Sequence, residues 1–242
     1  MAWAKKRRYV PKKKTTARKR VPAPTKSLAT QVVSAIGGYA LKRLKQKLGL
    51  NTETKYNTVA TTTFTPTTTL VKQLDILTSS AIPQDDTAQG RDGQSVRVTR
   101  WHLKGTLDNG AANLLTTRVR IIICRLKSVA LGGSSIIVGD VLERTTDINS
   151  PHLIDQTADI QYLYDRTFFF DPSAQGGTPQ TINWEYDWKP LSHHLRWTAS
   201  DTTGVVGDLL EGIVSVFMMS DAFTASNAPT LNIARELYWV DN

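Results

Sequence analysis

Cysteine is almost absent from this 242-residue chain, where Cys124 stands alone. An intrachain disulfide is therefore excluded, and so is a zinc site built on four cysteines. Histidine is scarce, with four residues, and no HExxH or spaced His/Cys set arranges them as metal ligands. The Walker loop, the Gly-x-Ser-x-Gly elbow and the dinucleotide glycine fingerprint are all missing. These gaps point away from an enzyme, a bound cofactor and a small-molecule substrate. No Asn-x-Ser/Thr sequon occurs. The longest apolar stretch, Val205 to Met219, is interrupted by Asp208 and Glu211, so no transmembrane segment is expected. The first residues are charged from Lys5 onward and lack the apolar region of a secretory leader, so secretion is not expected.

The most informative gap is acidic. Residues 1–50 hold 15 Lys and Arg but no Asp or Glu, and the first acid is Glu53. The remaining chain holds 15 basic and 21 acidic residues, a net of −6. The formal charge of +9 is thus a +15 segment joined to a −6 body. A run of this density repels itself and calls for a polyanion.

Composition divides the chain into residues 1–26, 27–50 and 51–242. The first segment carries 11 of the 15 charges, together with Pro11, Pro22 and Pro24. It has too little apolar surface to offset its ordering entropy and is expected to be a disordered basic arm when free. Over 27–48, Leu28, Val32, Ile36, Leu44 and Leu48 recur at helical spacing, with Ala40 between them. That predicts a short amphipathic helix. Lys42, Arg43, Lys45 and Lys47 crowd its C-terminal half, where cations suit the helix dipole. Gly37-Gly38 weakens its middle by roughly 1 kcal/mol per glycine relative to alanine. Gly49 supplies a stop.

From residue 51 the pattern is β. Thr occurs 31 times in the chain and clusters at Thr61–Thr63 and Thr67–Thr69. β-branched residues favour a pleated, half-buried surface. Candidate strands cover roughly 54–64, 69–78, 94–106, 115–127, 158–170, 180–189, 193–198, 210–220 and 230–240. Ile182, Trp184, Tyr186 and Trp188 alternate with Asn183, Glu185, Asp187 and Lys189, giving one buried and one wet face. Leu231, Ile233, Leu237 and Trp239 repeat the pattern, interrupted by Arg235. The apolar phase slips between Val96/Val98 and Trp101/Leu103, which predicts a β-bulge at Thr99–Arg100. Turn residues at Asp92-Gly93, Asp108-Asn109-Gly110, Gly132-Gly133 and Gly176-Gly177 separate the strands. Residues 136–144 read equally as a short helix. Eight or nine strands without regular helices mean a sandwich or barrel. The long connections at 79–93, 128–157 and 171–179 favour an all-β, eight-stranded single jelly-roll sandwich.

Four phrases follow the basic arm in order: GRDGQSVRVTRWHLKGTL (90–107), TTRVRIIICRLK (116–127), IQYLYDRTFFFD (160–171) and LNIARELYWVDN (231–242). With Leu163-Tyr164-Asp165-Arg166-Thr167-Phe168 as the most characteristic piece, the chain resembles the single jelly-roll capsid proteins of small circular Rep-encoding single-stranded DNA viruses. It is also similar to the coat protein of satellite tobacco necrosis virus, which packages RNA. The resemblance implies an eight-stranded jelly roll over 51–242, a homo-oligomer of about 60 copies in a T=1 icosahedral shell, and an inward basic arm. It also implies a virion protein, with the host nucleus and its import machinery involved during assembly. The helix at 27–48 departs from the simplest members.

Under that resemblance, Lys5, Lys6, Arg7, Arg8, Lys12, Lys13, Lys14, Arg18, Lys19 and Arg20 pair with genome phosphates, with Lys42, Arg43, Lys45 and Lys47 behind them. Such pairing works by counterion release and reads no sequence. About 60 copies would bring on the order of 900 positive charges, a viral-genome scale. Extended, the 26-residue arm reaches at most roughly 90 Å. Lys5–Arg8 and Arg18–Arg20 also read as two basic clusters of a nuclear localisation signal. Trp3 and Tyr9 are candidates for stacking on bases. The helix admits nucleic-acid contact, subunit packing, membrane association or a plain linker role. Arm charge does not separate single-stranded DNA from RNA, which differ at the 2′-OH; DNA is preferred through the resemblance alone.

In the body, Asp85, Asp86, Asp155, Asp159, Asp201 and Asp208 lie in predicted loops. Solvated loop charges are expected there, with structural calcium at subunit interfaces as the alternative. His193-His194 point apart along a strand, and Cys124 reads as a small core residue. Arg120 and Arg166 face nucleic acid or pair with Asp.

Overall fold

β-branched and aromatic residues at alternating positions build strands throughout the described part of the computed structural model. It describes residues 54–79, 81–87, 89–109, 116–127, 135–156, 159–171, 180–222 and 228–241. All of these belong to the unit Thr52–Asn242. The arm at 1–26 and the helix expected at 27–48 lie outside the described residues.

Ten strands form two antiparallel sheets. They are β1 (Thr54–Phe64), β2 (Val71–Asp75), β3 (Ser95–Asp108), β4 (Thr117–Leu126), β5 (Ile160–Phe170), β6 (Thr181–Trp188), β7 (His194–Trp197), β8 (Leu209–Glu211), β9 (Val214–Ser220) and β10 (Thr230–Asp241). One sheet runs β1-β10-β3, with β6 and β7 sharing the free side of β3 and β8 beyond β7. The other runs β2-β9-β4-β5. The all-β expectation holds. Helical geometry among the described residues is limited to single 3-10 turns, one of which, Val138–Asp140, occupies the ambiguous 136–144 segment.

Ten strands replace the expected eight or nine because the 210–220 candidate is cut in two. The cut falls at Gly212, whose φ is +91°. A Cβ there would lie 2.0 Å from the carbonyl oxygen of His194, so only glycine closes this corner. The predicted bulge is present. Tyr238 pairs with Arg100 and Trp239 with Val98, leaving Thr99 as the extra residue. The faces invert across it, so that Val96, Val98, Trp101 and Leu103 are all buried.

The core lies between the sheets. Trp101, Leu103 and Leu107 of β3 join Ile233, Leu237 and Trp239 of β10 from one side. Ile121 and Ile123 of β4 and their partners Met218 and Val216 of β9 join from the other. The apolar runs Ile121–Cys124 and Val216–Met219 reflect burial on both faces. Residues 135–156 pass over the outside of the second sheet, where Tyr162 Oη donates to the carbonyl of Val141 at 2.6 Å. In β6 the alternation holds but is shallower. Trp184 is buried, with its indole N–H 3.0 Å from Tyr164 Oη, while Ile182, Tyr186 and Trp188 are half-buried. Arg235 is buried on the core-facing side of β10, donating to the carbonyl of Thr78 at 2.8 Å.

Candidate nucleic-acid interface and assembly surfaces

All fourteen cations assigned to nucleic acid, Lys5 through Arg20 and Lys42 through Lys47, lie outside the described residues, as do Trp3 and Tyr9. What the structure places is the surface of the body and the commitments of its charges.

On the outer face of the first sheet, odd-even alternation turns polar side chains outward from β3, β6 and β10. Arg100 holds Asp187 with two hydrogen bonds, at 2.6 and 3.2 Å, and Lys189 reaches the same carboxylate at 2.8 Å. Those bonds, Arg100 first, push the Asp187 carboxyl down to about 2. The Arg100 guanidinium also sits 5.7 Å from the Tyr238 ring, which stacks on Tyr56. His102 lies between Glu185 at 2.9 Å and Glu236 at 3.3 Å. Arg100, Lys189 and His102 on this face thus already have carboxylate partners, whereas Arg97 and Lys104, outward on the same strand as Arg100 and His102, are in no ion pair among the described residues.

The second sheet answers the question left open for two arginines. Arg120 is buried and makes a bidentate pair with Asp165, at 2.9 and 2.6 Å, while also donating to the carbonyls of Ile148 and Ser150. His152 adds a 2.7 Å contact to Asp165 and stacks flat on Tyr162, with centroids 3.6 Å apart. Burial works against the Asp165 charge, but Arg120 and then His152 hold its carboxyl below the ordinary range. Arg120 is therefore a structural tie that fastens residues 148–152 over the sheet. Arg166, in contrast, is exposed and rests 5.0 Å from the Phe168 ring.

Of the loop carboxylates, Asp201 is buried against Arg91, and Asp85 accepts from the backbone and hydroxyl of Thr87. Asp155 and Asp208 sit in 3-10 turns. Among the described residues, no three His, Cys, Asp or Glu side chains gather as metal ligands. His193 is buried and His194 exposed, as strand alternation requires. Burial pushes the His193 ring down to about 4. Cys124 is fully buried, and desolvation pushes its thiol up. His102, His152 and His193 have carboxylates or a carbonyl as partners, an arrangement that fixes structure rather than activating a nucleophile.

Large apolar side chains remain on the outside. Leu191 is 96% exposed, Ile154 71%, Phe169 62% and Ile137 61%. Phe169 lies on β5, at the outer edge of the second sheet. Aromatic and aliphatic side chains on an unpaired edge suit burial against another surface. The sequence did not single out Arg91 or Arg125. An arginine inside a glycine-bounded loop or at a strand end reads as solvated until tertiary structure buries it.

No protein-family model matches the chain, and no curated protein matches it in sequence.

Proposed function

We propose that this chain is a structural coat protein, whose β body self-associates into a closed shell and whose basic N-terminal arm gathers single-stranded nucleic acid. More particularly, it is the capsid protein of a small circular Rep-encoding single-stranded DNA virus, forming a T=1 shell of about 60 copies. The observation that carries the reading is the charge split, +15 over residues 1–50 against −6 over the rest, attached to a two-sheet β body.

The strand pairing supports a jelly roll. β1 pairs with β10, β2 with β9, β3 with β6 and β4 with β5, the nested pairs of one rolled-up hairpin. Setting aside the short β7 and β8 leaves eight strands in two four-stranded sheets, an architecture shared by viral capsid domains, lectins and cupins. The net −6 of residues 51–242 and the pairing of Arg100, His102 and Lys189 with carboxylates favour a coat over a barrel that binds nucleic acid through its strands. Exposed Phe169, Ile154, Ile137 and Leu191 supply apolar anchors for subunit contacts. The two basic clusters of the arm suit nuclear import before assembly. A coat protein of a satellite-like RNA virus is the second reading, since phosphate pairing serves either genome.

Removing residues 1–50 separates the roles. The truncated chain still assembles but loses copurifying nucleic acid. Undiminished nucleic-acid binding by the truncated body would instead assign it to a nucleic-acid-binding module.

A further inference from the structure

At one end of the body, the last residues of β4 meet the start of β7 and the β8–β9 corner around a cavity of about 460 Å³. Arg125, Lys127, His193, His194 and Glu211 supply its ionisable lining. The balance is cationic, and the one acid is already shared, because Glu211 lies 3.4 Å from Arg196.

Arg125 is the unusual member. Its backbone is fixed in the middle of the second sheet, paired with Gln161 of β5 and Val214 of β9. Among the described residues its side chain forms no ion pair, and its Nε is buried without a hydrogen-bond partner. A guanidinium carries five donors and never gives up its charge. Leaving a buried donor unpaired costs stability, so this position is built to receive an acceptor. Arg91 and Arg120 have carboxylate partners, Asp201 and Asp165. Arg235, whose Nε is likewise unpaired, still donates to the carbonyl of Thr78 and the hydroxyl of Thr62. Among the described residues the Arg125 side chain has no such acceptor.

His193 makes the cavity selective. Its ring donates Nε2–H to the carbonyl of Gly212 at 2.9 Å and packs edge-on against Trp188, 4.7 Å away. The ring is thus held in place and uncharged at neutral pH, by burial first and with the charges of Arg125 and His194 adding to the effect. The lining repels metal cations, and its polarity disfavours an apolar ligand. The planar fork of an arginine matches the spacing of two oxygens on a tetrahedral oxyanion. At its volume the cavity exceeds a lone anion and falls in the range of small-ligand sites.

We propose that this cavity is a phosphate-binding site on the body, with Arg125 as its anchoring residue and Lys127 and His194 completing the anion's shell. It is independent of the basic arm and does not rest on the coat-protein reading. Free inorganic phosphate and a nucleic-acid phosphodiester offer the same chemistry to it.

The test is calorimetric titration of the full-length chain with sodium phosphate at fixed ionic strength, where any arm contribution is common to every variant. The wild type shows one Arg125-dependent site per chain. Arg125→Gln raises the apparent Kd at least tenfold, and Lys127→Gln, which leaves the strand interior untouched, raises it about threefold. Equal phosphate binding by wild type and both variants, or no binding by the wild type, overturns the proposal. Competition with a five-nucleotide oligothymidylate distinguishes the sources. Displacement of phosphate from the Arg125-dependent site identifies a nucleic-acid occupant; phosphate retention identifies free phosphate, and either result supports the site.

Discussion

Cutting the ion pair between Arg91 and Asp201 should cost this protein a large part of its stability. The Arg91 side chain is 0% exposed and that of Asp201 2%, with Nη2 and Oδ2 2.9 Å apart. The guanidinium also donates to the carbonyls of Ile82, Gly93 and Asp201, and lies 4.4 Å from the centroid of Trp197. Asp201 in turn accepts from the backbone N–H of Thr203 and Gly204, each at 2.9 Å. One pair thereby fastens three chain segments that local propensity would leave loose. Removing one member of such a buried pair costs about 3–5 kcal/mol, because its partner is left charged and dry. Against a total of roughly 5–15 kcal/mol for a domain, Arg91→Met removes a third or more. Urea unfolding of unassembled protein, followed by tryptophan fluorescence, measures it. Asp201→Asn falls in the same range. The double variant recovers about 1–3 kcal/mol of the summed loss, because the two residues are coupled. Recovery is incomplete, since the carbonyls of Ile82 and Gly93 still lose their donor. A loss below about 1 kcal/mol for Arg91→Met would refute the reasoning.

Other outcomes follow from single residues. The folded state holds His193 at about 4, whereas an unfolded imidazole titrates near 6.5, so the unfolded chain binds the extra proton between those values. Stability is therefore unaffected above about pH 6.5 and falls as pH drops towards 4, by about 3 kcal/mol in all. His193→Gln, which keeps a donor for the carbonyl of Gly212, flattens that part of the stability–pH curve, and an unchanged slope would contradict the burial argument. Gly105 lets β3 and β10 approach so closely that a Cβ would lie 1.8 Å from the carbonyl oxygen of Asn232. Gly105→Ala should lower stability by about 1–3 kcal/mol through backbone displacement; thermal melting within 1 °C of wild type would show that the strands yield freely.

Much of the fold was legible because alternation is a strong signal where one face is wet. β6 and β10 declared themselves that way, and the phase slip at Thr99 located the bulge. The apolar runs in β4 and β9 were legible as strands but not as doubly buried ones. That burial depends on residues 135–156 folding back, a contact no local pattern encodes. Gly212 was invisible as a strand break, since its role comes from the approach of His194. The partners of Arg120 and Arg166 were undecidable for the same reason: both stand on polar strand positions, and only the covering segment buries one of them. For the functional site the order was reversed. The arm's charge excess is written in its composition, while the unpaired guanidinium of Arg125 is a tertiary fact that no motif announces.

Electron microscopy of the purified full-length chain, with nuclease typing of the nucleic acid that accompanies it, tests the central claim most directly. The account predicts closed, uniform icosahedral particles of about 60 copies, containing single-stranded nucleic acid degraded by DNase and resistant to RNase. Protein that stays monomeric at every salt concentration and pH, with nucleic acid supplied, would contradict it.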